Sequence, residues 1–531
     1  MSVASRKIVS CGDLAFLVEL DSLSDVLALH AALKALAPPE MVECVAAAKT
    51  VLISASTPVA ASELAALVRT MEVPAFRAAD AREVQLPVCY DGEDLTAVAT
   101  MLNWSVDHLI HWHTSTTWTA AFGGFAPGFT YCIGEGPDIA RRDTPRTQVP
   151  AGAVGLAGHY SAVYPRATPG GWQLIGHCGE PMWDAQRTPP ALIAPGDRIR
   201  YRAVRERVEL PAAKPTQAGE VTYGVQVRAS GIQSLLQDQG RRGHADLGVC
   251  ESGAMDLRSA RRANVLVGNQ TDEVVIEHLL GGLQLQARGD LVVAVTGAQC
   301  ELEVTGGALH PDVDAYHPEI NTPFALLDGQ CLRLGAPSRG VRSYVAIRGG
   351  ICAERILGSA ATDLLSGQGP APLRAGDELA VAEPQWPSFV ADAKTAPALP
   401  RDVLAVSVIL GPRDDWFSAD DIDSLLTQQW QVTERSNRIG LRLDGIPLGR
   451  HDRGELASEG TVAGAIQIPP DGKPVLFMRD HPVTGGYPVI GVVNHHDLDQ
   501  LAQLAPGAKI RFRLYHAPSV ADDAIGLGGK R

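Results

Sequence analysis

PGGWQLIG at 169–176, followed by PGDRIRYR at 195–202, returns near the other end of the chain as TGGYPVIG at 484–491 followed by PGAKIRFR at 506–513. Order and spacing agree. A Val-x-x-Gly-like turn stands upstream of each copy, at 154–158 and 462–464, and a shorter echo, AGDEL, occurs at 375–379. Glycine pairs, an apolar run and a Pro-Gly turn ahead of alternating basic and apolar residues describe strand, turn and strand. Recurrence of the motif together with its downstream partner indicates duplication of one β-module.

The flanking segments divide by pattern. Residues 13–20 and 49–54 read as strands, and residues 24–36 as a helix with Val26, Leu29, Leu33 and Leu36 on one face. Thr57 before Pro58 supplies an N-cap and a first-turn proline for a second helix, with Leu64, Leu67, Val68 and Met71 inward. Residues 82–88 add a strand, and 93–111 two short helices broken at 103–105. From 115 to 201 short β-rich runs alternate with glycine and proline, which predicts a barrel or sandwich. Helices are expected again at 255–267 and 419–430 within otherwise β-rich sequence. The expected organisation is a small α+β domain at 1–90, a β-barrel at 91–209, a Pro/Ala-rich linker at 210–220, a β-domain at 221–385, a second β-domain at 402–515 and a tail at 516–531. The fold class is mainly β with α+β.

A chain of 531 residues holds three or four cores at about 150 residues each. The 53 glycines and 36 prolines require many turns, and a net charge of −14 without a basic run speaks against nucleic acid or an anionic membrane as partner. The nine cysteines are scattered and never form C-x-x-C, so neither a disulfide framework nor a zinc clamp is signalled and a reducing cytoplasm fits. No apolar run approaches the length of a membrane span. Standard phosphate loops, the strand-linked G-x-G-x-x-G and the G-x-S-x-G elbow are missing from the sequence.

Residues 122–176 are dense in glycine, proline and arginine and form the first candidate site. GFAPGF brings Phe125, Pro127, Gly128 and Phe129 around a small ligand, or makes a hydrophobic turn. PRTQVPAG sets Arg146 on a stiff chain suited to a carboxylate or phosphate, with Pro150 and Gly152 beside it; the plain alternative is a surface arginine. Gly170, Gly171 and Trp172 offer backbone amides and a ring. In SLLQDQGRRG, Gln237, Asp238 and Arg241 share a polar turn, where Asp238 and Arg241 either pair or join Gly253, Met255 and Asp256 of ESGAMD in binding. The final segment adds Lys473, Asp480, Thr484, Gly485, Gly486 and Tyr487 around tight turns, fit for a phosphate or for a solvated hairpin. His108, His111 and His113 straddle a helix end and are not expected to converge on a metal, and His495 and His496 read as a solvated turn.

GFAPGFTY, PRTQVPAGAVGLAG and PGGWQLIG resemble allophanate hydrolase subunit 1, the KipI or PxpB type. SLLQDQGRRG, SGAMD, ANVLVGN, SNRIGLRL, GAIQIPPDGKPV and TGGYP resemble allophanate hydrolase subunit 2, the KipA or PxpC type. The chain thus resembles a fusion of the two. The resemblance implies a cyclophilin-like barrel preceded by a small α+β domain, then two β-domains. It implies the B and C components of an ATP-dependent 5-oxoprolinase, using ATP and Mg²⁺, inactive without a LamB/YcsF-type PxpA-like partner and acting on a small amide or lactam. Arg146, Asp238, Arg241 and Asp480 are the catalytic candidates under this reading. Two alternatives stay open: the carboxyltransferase of a biotin-dependent urea-type carboxylase acting in trans, since no biotin-attachment AMKM motif is present, and a regulator of a sensor kinase. A homo-oligomer is left open. Departures from the family pattern fall at Tyr160 and Ser161 in AGHYSAVYP, at His177 after the IIG-like element, and at Val483 before TGGYP, and they bear on substrate identity.

Overall fold

The computed structural model describes residues 6–74, 81–142, 144, 146–206, 221–306, 315–384, 399–400 and 403–515. The expected linker at 210–220 and tail at 516–531 lie outside these. The architecture is mainly β. An N-terminal antiparallel sheet, in the order Lys7–Ser10, Ala15–Glu19, Thr50–Ala55, Met41–Ala46, carries helices Leu23–Leu36 and Pro58–Thr70 on one face. Thr57 caps the second helix, its hydroxyl accepting the Ala60 N–H at 3.1 Å.

The strand AFLVE is apolar almost throughout because both faces of this sheet are buried. Phe16 and Val18 join Val26, Leu29 and Leu33 beneath the helices, whereas Ala15, Leu17, Val45 and Leu52 turn to the opposite face. There they meet Ala465, Phe477, Val489 and Val492 from the far end of the chain. The N-terminal unit is therefore sandwiched between its own helices and the second barrel.

Each repeat copy builds a closed seven-stranded barrel. In the first, Arg198–Ala203 runs parallel to Glu83–Cys89, with Arg198 opposite Glu83, and Gln173–Cys178 flanks the latter on its other side. In the second, Lys509–Leu514 runs parallel to Val403–Leu410, with Lys509 opposite Val403, and Val489–Val493 takes the flanking place. The two barrels reproduce one another strand for strand around the repeated motif. The two short helices after the first strand are Leu95–Met101 and Val106–Ser115.

Between the barrels stand two five-stranded sheets around a common core that includes Val227, Leu285, Val293, Leu332 and Val345. Helix Leu257–Leu266, capped by Asp256, covers one sheet with Ala260, Ala263 and Leu266. The helix expected at 419–430 ends earlier, as Ala419–Thr427. Trp430 instead opens a strand, because its buried ring fills the second barrel and its indole N–H donates to the Leu425 carbonyl at 3.0 Å.

Candidate functional site

The sequence candidates fall in four places. In the first barrel, Phe125, Phe129 and Trp172 form edge-on ring contacts, Phe125–Phe129 at 5.2 Å and Phe129–Trp172 at 5.6 Å, with half-buried Tyr160 at the margin of the same cluster. Pro127 lies in the strand Ala126–Ile133, and Gly128 takes φ +77°, at a place where a Cβ would also sit 2.8 Å from the Met182 carbonyl. Gly152, following Pro150, is packed against buried His177, and Gly170 and Gly171 lead to Trp172. Ser161, one of the departures, accepts no external contact: it bridges His113 and Tyr201 at 3.0 Å each inside the barrel. His113 is thereby a core residue, and among the described residues no three His, Cys, Asp or Glu side chains are grouped to hold a metal.

Arg146 is not the free fork that the stiff PRTQVPAG segment suggests. Its guanidinium holds Asp94 at 2.8 Å and Glu93 at 3.1 Å, and Asp94 also accepts Arg142 and the Leu174 N–H. Burial opposes the Asp94 charge, yet these donors hold its carboxyl below the usual range. Arg146 clasps the short strand Arg146–Val149, which lies outside the barrel, to the start of helix Leu95–Met101.

Gln237, Asp238 and Arg241 do not pair with one another. Gln237 donates to the Thr362 carbonyl, Asp238 accepts Gly240 N–H, Ser359 Oγ and Ala360 N–H, and Arg241 donates to the Ile356 and Ala361 carbonyls. They fasten the 356–362 loop. Asp480 is fully buried and bound by both Arg438 Nε and Nη2, by Ser252 Oγ and by the Leu364 N–H. Arg438 also meets Glu277 at 2.6 Å and the Gly253 carbonyl at 2.7 Å, while Met255 N–H donates to Glu277. Asp256 caps its helix and accepts Gln503. This charge network locks the middle sheets to the second barrel.

Lys473 pairs with Asp444 at 2.6 Å on the surface, and Tyr487 is exposed. Gly485 and Gly486 follow Thr484, which marks where the barrels meet: a Cβ on Gly124 would lie 2.2 Å from Thr484 Oγ1.

A cavity of about 440 Å³ opens one residue away from several of these positions, where the N-terminal sheet, the 242–261 segment and the second barrel converge. Arg479 and His481 flank Asp480, Arg242 follows Arg241, and Val483 precedes Thr484; each faces the cavity while its neighbour turns into the packed interior. His495 and Asp13 line it as well, 482 residues apart, with His495 Nδ1 to Asp13 Oδ2 at 2.5 Å and Asn494 on the same oxygen at 2.9 Å. His495 and His496 do lie in a short helical turn, His495–Asp497, with His496 exposed as a solvated turn predicts, but His495 is half-buried and both rings, tilted by 40° at 3.8 Å, line the cavity wall.

The chemistry of this wall can be read from partners. His481 lies 2.9 Å from the Pro482 carbonyl through Nδ1, and a carbonyl only accepts, so Nδ1 carries the proton. Nε2 then presents a lone pair and has no hydrogen-bond partner among the described residues. Burial pushes the His481 pKa down despite that carbonyl, keeping the ring neutral. Glu43 accepts the Gly243 and Ala245 N–H groups at 2.6 and 3.0 Å, and burial first, then Glu251 and Asp246, lift its carboxyl from 4.5 to about 7. A neutral base, an Asp-oriented histidine and a carboxyl near neutrality suit proton transfer to and from a small polar substrate.

With that geometry in hand, similarity to known proteins defines the class. Residues 6–193 match the family described as carboxyltransferase domain, subdomain C and D, and residues 247–514 match carboxyltransferase domain, subdomain A and B. The chain belongs to the carboxyltransferase-domain family. Within it, the chain joins the counterparts of two separate proteins. Its second half is 33% identical over 286 residues to the C subunit of 5-oxoprolinase from Escherichia coli (strain K12), covering 53% of this chain and 88% of that protein. Its first half is 42% identical over 135 residues to the B subunit of 5-oxoprolinase from Escherichia coli O157:H7, covering 24% of this chain and 62% of that protein. Urea amidolyase of Lachancea kluyveri is 30% identical over 313 residues, 54% of this chain but 17% of that protein. Among solved structures, TTHA0988 superposes with TM-score 0.82 at 31% identity, over 94% of this chain and 99% of that one. Kluyveromyces lactis urea carboxylase gives 0.50 at 27%, over 56% and 28%.

Proposed function

We propose that the chain is the fused B and C component of an ATP-dependent 5-oxoprolinase, which opens 5-oxoproline to glutamate together with a LamB/YcsF-type partner. The observation that carries this reading is that the cavity draws its walls from both halves. Asp13 and Glu43 come from the PxpB-like half, and Arg242, Arg479, His481 and His495 from the PxpC-like half. A site divided in this way explains why both belong to one working unit.

ATP would supply the phosphoryl group that activates an unreactive lactam oxygen, leaving ADP, and a second water would release that group as inorganic phosphate once the ring is open. The cavity's guanidinium groups suit phosphate, and a magnesium ion would arrive with the phosphates rather than in a protein cage. The chain's own residues have defined tasks. His481 Nε2 accepts the proton of the attacking water, and His495, oriented by Asp13, returns a proton to the ring nitrogen as its bond to carbon breaks. Closure of both halves around the cavity limits bulk water.

The test mixes the purified chain with a LamB/YcsF-type protein, ATP, Mg²⁺ and 5-oxoproline. Glutamate forms only with every component present; glutamate absent from the complete mixture contradicts the reading. The likeness to urea amidolyase and urea carboxylase favours one second reading, carboxyl transfer in trans. Its mark is bicarbonate-dependent carboxylation of urea with a biotin carboxylase and its biotin carrier.

A further inference from the structure

The most deeply buried arginines among the described residues each have at least one close hydrogen-bond acceptor, although Arg241 leaves Nη1 unmet. Arg438 binds two carboxylates and a carbonyl, Arg413 binds Glu459 and Glu19, Arg342 donates to the Ala502 carbonyl, and Arg241 to that of Ala361. Arg479 differs. Its side chain is only 10% exposed and faces the cavity, yet it makes no hydrogen bond among the described residues, and its one ion-pair neighbour, Glu251, stands 3.9 Å away. A guanidinium has five donors, and those of Arg479 open on the cavity with no protein acceptor at hydrogen-bond distance among the described residues.

The surrounding charges do not cancel it. Glu251 is engaged at 2.6 Å by Arg242, Asp499 at 3.2 Å by Arg258, and Asp13 at 2.5 Å by His495. Arg261 donates to the neutral Gln239 amide. Glu43, the remaining acid, has two backbone donors, and burial lifts its carboxyl to about 7, so it is only partly ionised near neutral pH. The wall therefore carries more positive than negative charge around Arg479, whose backbone is held on both sides. Met478 N–H donates to the Ile439 carbonyl at 2.9 Å and Asp480 N–H to that of Arg438 at 3.0 Å, pinning the backbone on both sides of Arg479.

We infer that Arg479 is the anchor for a substrate carboxylate, so that the cavity selects small amides bearing an acid group over neutral ones such as urea. This rests on the proposed function for the identity of the amide, and it names the residue that distinguishes that substrate from the carboxylase alternative. A planar guanidinium fork matches a carboxylate bidentately. His481 lies two residues on and lines the same cavity, so an acid held on Arg479 brings the attached amide into the chamber that holds the base.

Calorimetric titration of the full chain with matched pairs tests this: 5-oxoproline against 2-pyrrolidinone, and N-acetylglycine against N-methylacetamide. Each acid should bind at least about tenfold tighter than its uncharged partner. Arg479→Gln should erase that difference without changing the neutral ligands, and Arg479→Lys should restore part of it. Equal binding of acid and neutral partner by the wild-type chain overturns the proposal, as does an equal loss for both in Arg479→Gln, or the absence of carboxylate binding. Arg479-dependent binding of inorganic phosphate but not of the acids also overturns it, because the oxyanion recognised would then be phosphate. The wild-type comparison stands even if a variant fails to fold. Failure of the oxoprolinase reading is separate: glutamate would never form, while the N-acetylglycine preference would persist.

Discussion

Replacing Arg438 by leucine would strip Asp480 of its counter-charge and leave Glu277 with only Arg342 at 3.7 Å, where water does not reach. Both carboxylates are buried and share that one guanidinium as their closest cation. Breaking a buried pair from one side costs about 3–5 kcal/mol, and chemical denaturation of Arg438→Leu should show a loss of that order. Glu43 gives a subtler test. Its carboxyl is raised from 4.5 to about 7 in the fold, so between those values the folded chain holds more protons than the unfolded one. Stability therefore falls as pH rises through that window, by up to about 3 kcal/mol, and is level above it. Glu43→Gln should flatten the decline when denaturation midpoints are compared at pH 5 and pH 8. A decline unchanged in the variant would assign it to other groups.

Elements rather than single side chains decide how the halves dock. Gly248 takes φ +79° after the short helical turn Ala245–Leu247, and a Cβ there would lie 2.4 Å from the Ala126 carbonyl of the first barrel. Gly248→Ala meets strain and a backbone clash together, and should cost more than about 1 kcal/mol in thermal or chemical unfolding. The capped helices and the repeated strands were legible in sequence because their signals are local: Thr57 with Pro58, and Gly-Gly with a downstream Pro-Gly. The strands Lys7–Ser10 and Met41–Ala46 were not, being short and set by pairing with distant partners. At the site, glycine and proline density drew attention to Arg146 and Asp480, which turned out to be clasped by carboxylates and by a guanidinium. Their neighbours on the opposite side of the chain, Arg479 and His481, face the cavity. Sequence spacing locates a turn, but which of two adjacent side chains points outward depends on packing.

At the scale of the whole molecule, duplication produced two like barrels, and the N-terminal sheet of the first half closes against the second barrel. No local pattern links Asp13 to His495; their contact exists only once both halves are folded together. The same closure creates the cavity to which the proposed ring-opening chemistry is assigned. His481→Gln keeps the side chain's size and removes its base. The most direct measurement is the steady-state rate of glutamate formation by this variant, in the complete mixture with the LamB/YcsF-type partner, ATP and Mg²⁺. A drop of at least about 10²-fold in kcat is expected, with wild-type activity holding to pH values below about 6.5 because the buried ring stays neutral there. A folded His481→Gln chain that releases glutamate at the wild-type rate would contradict the assignment of that cavity as the catalytic site.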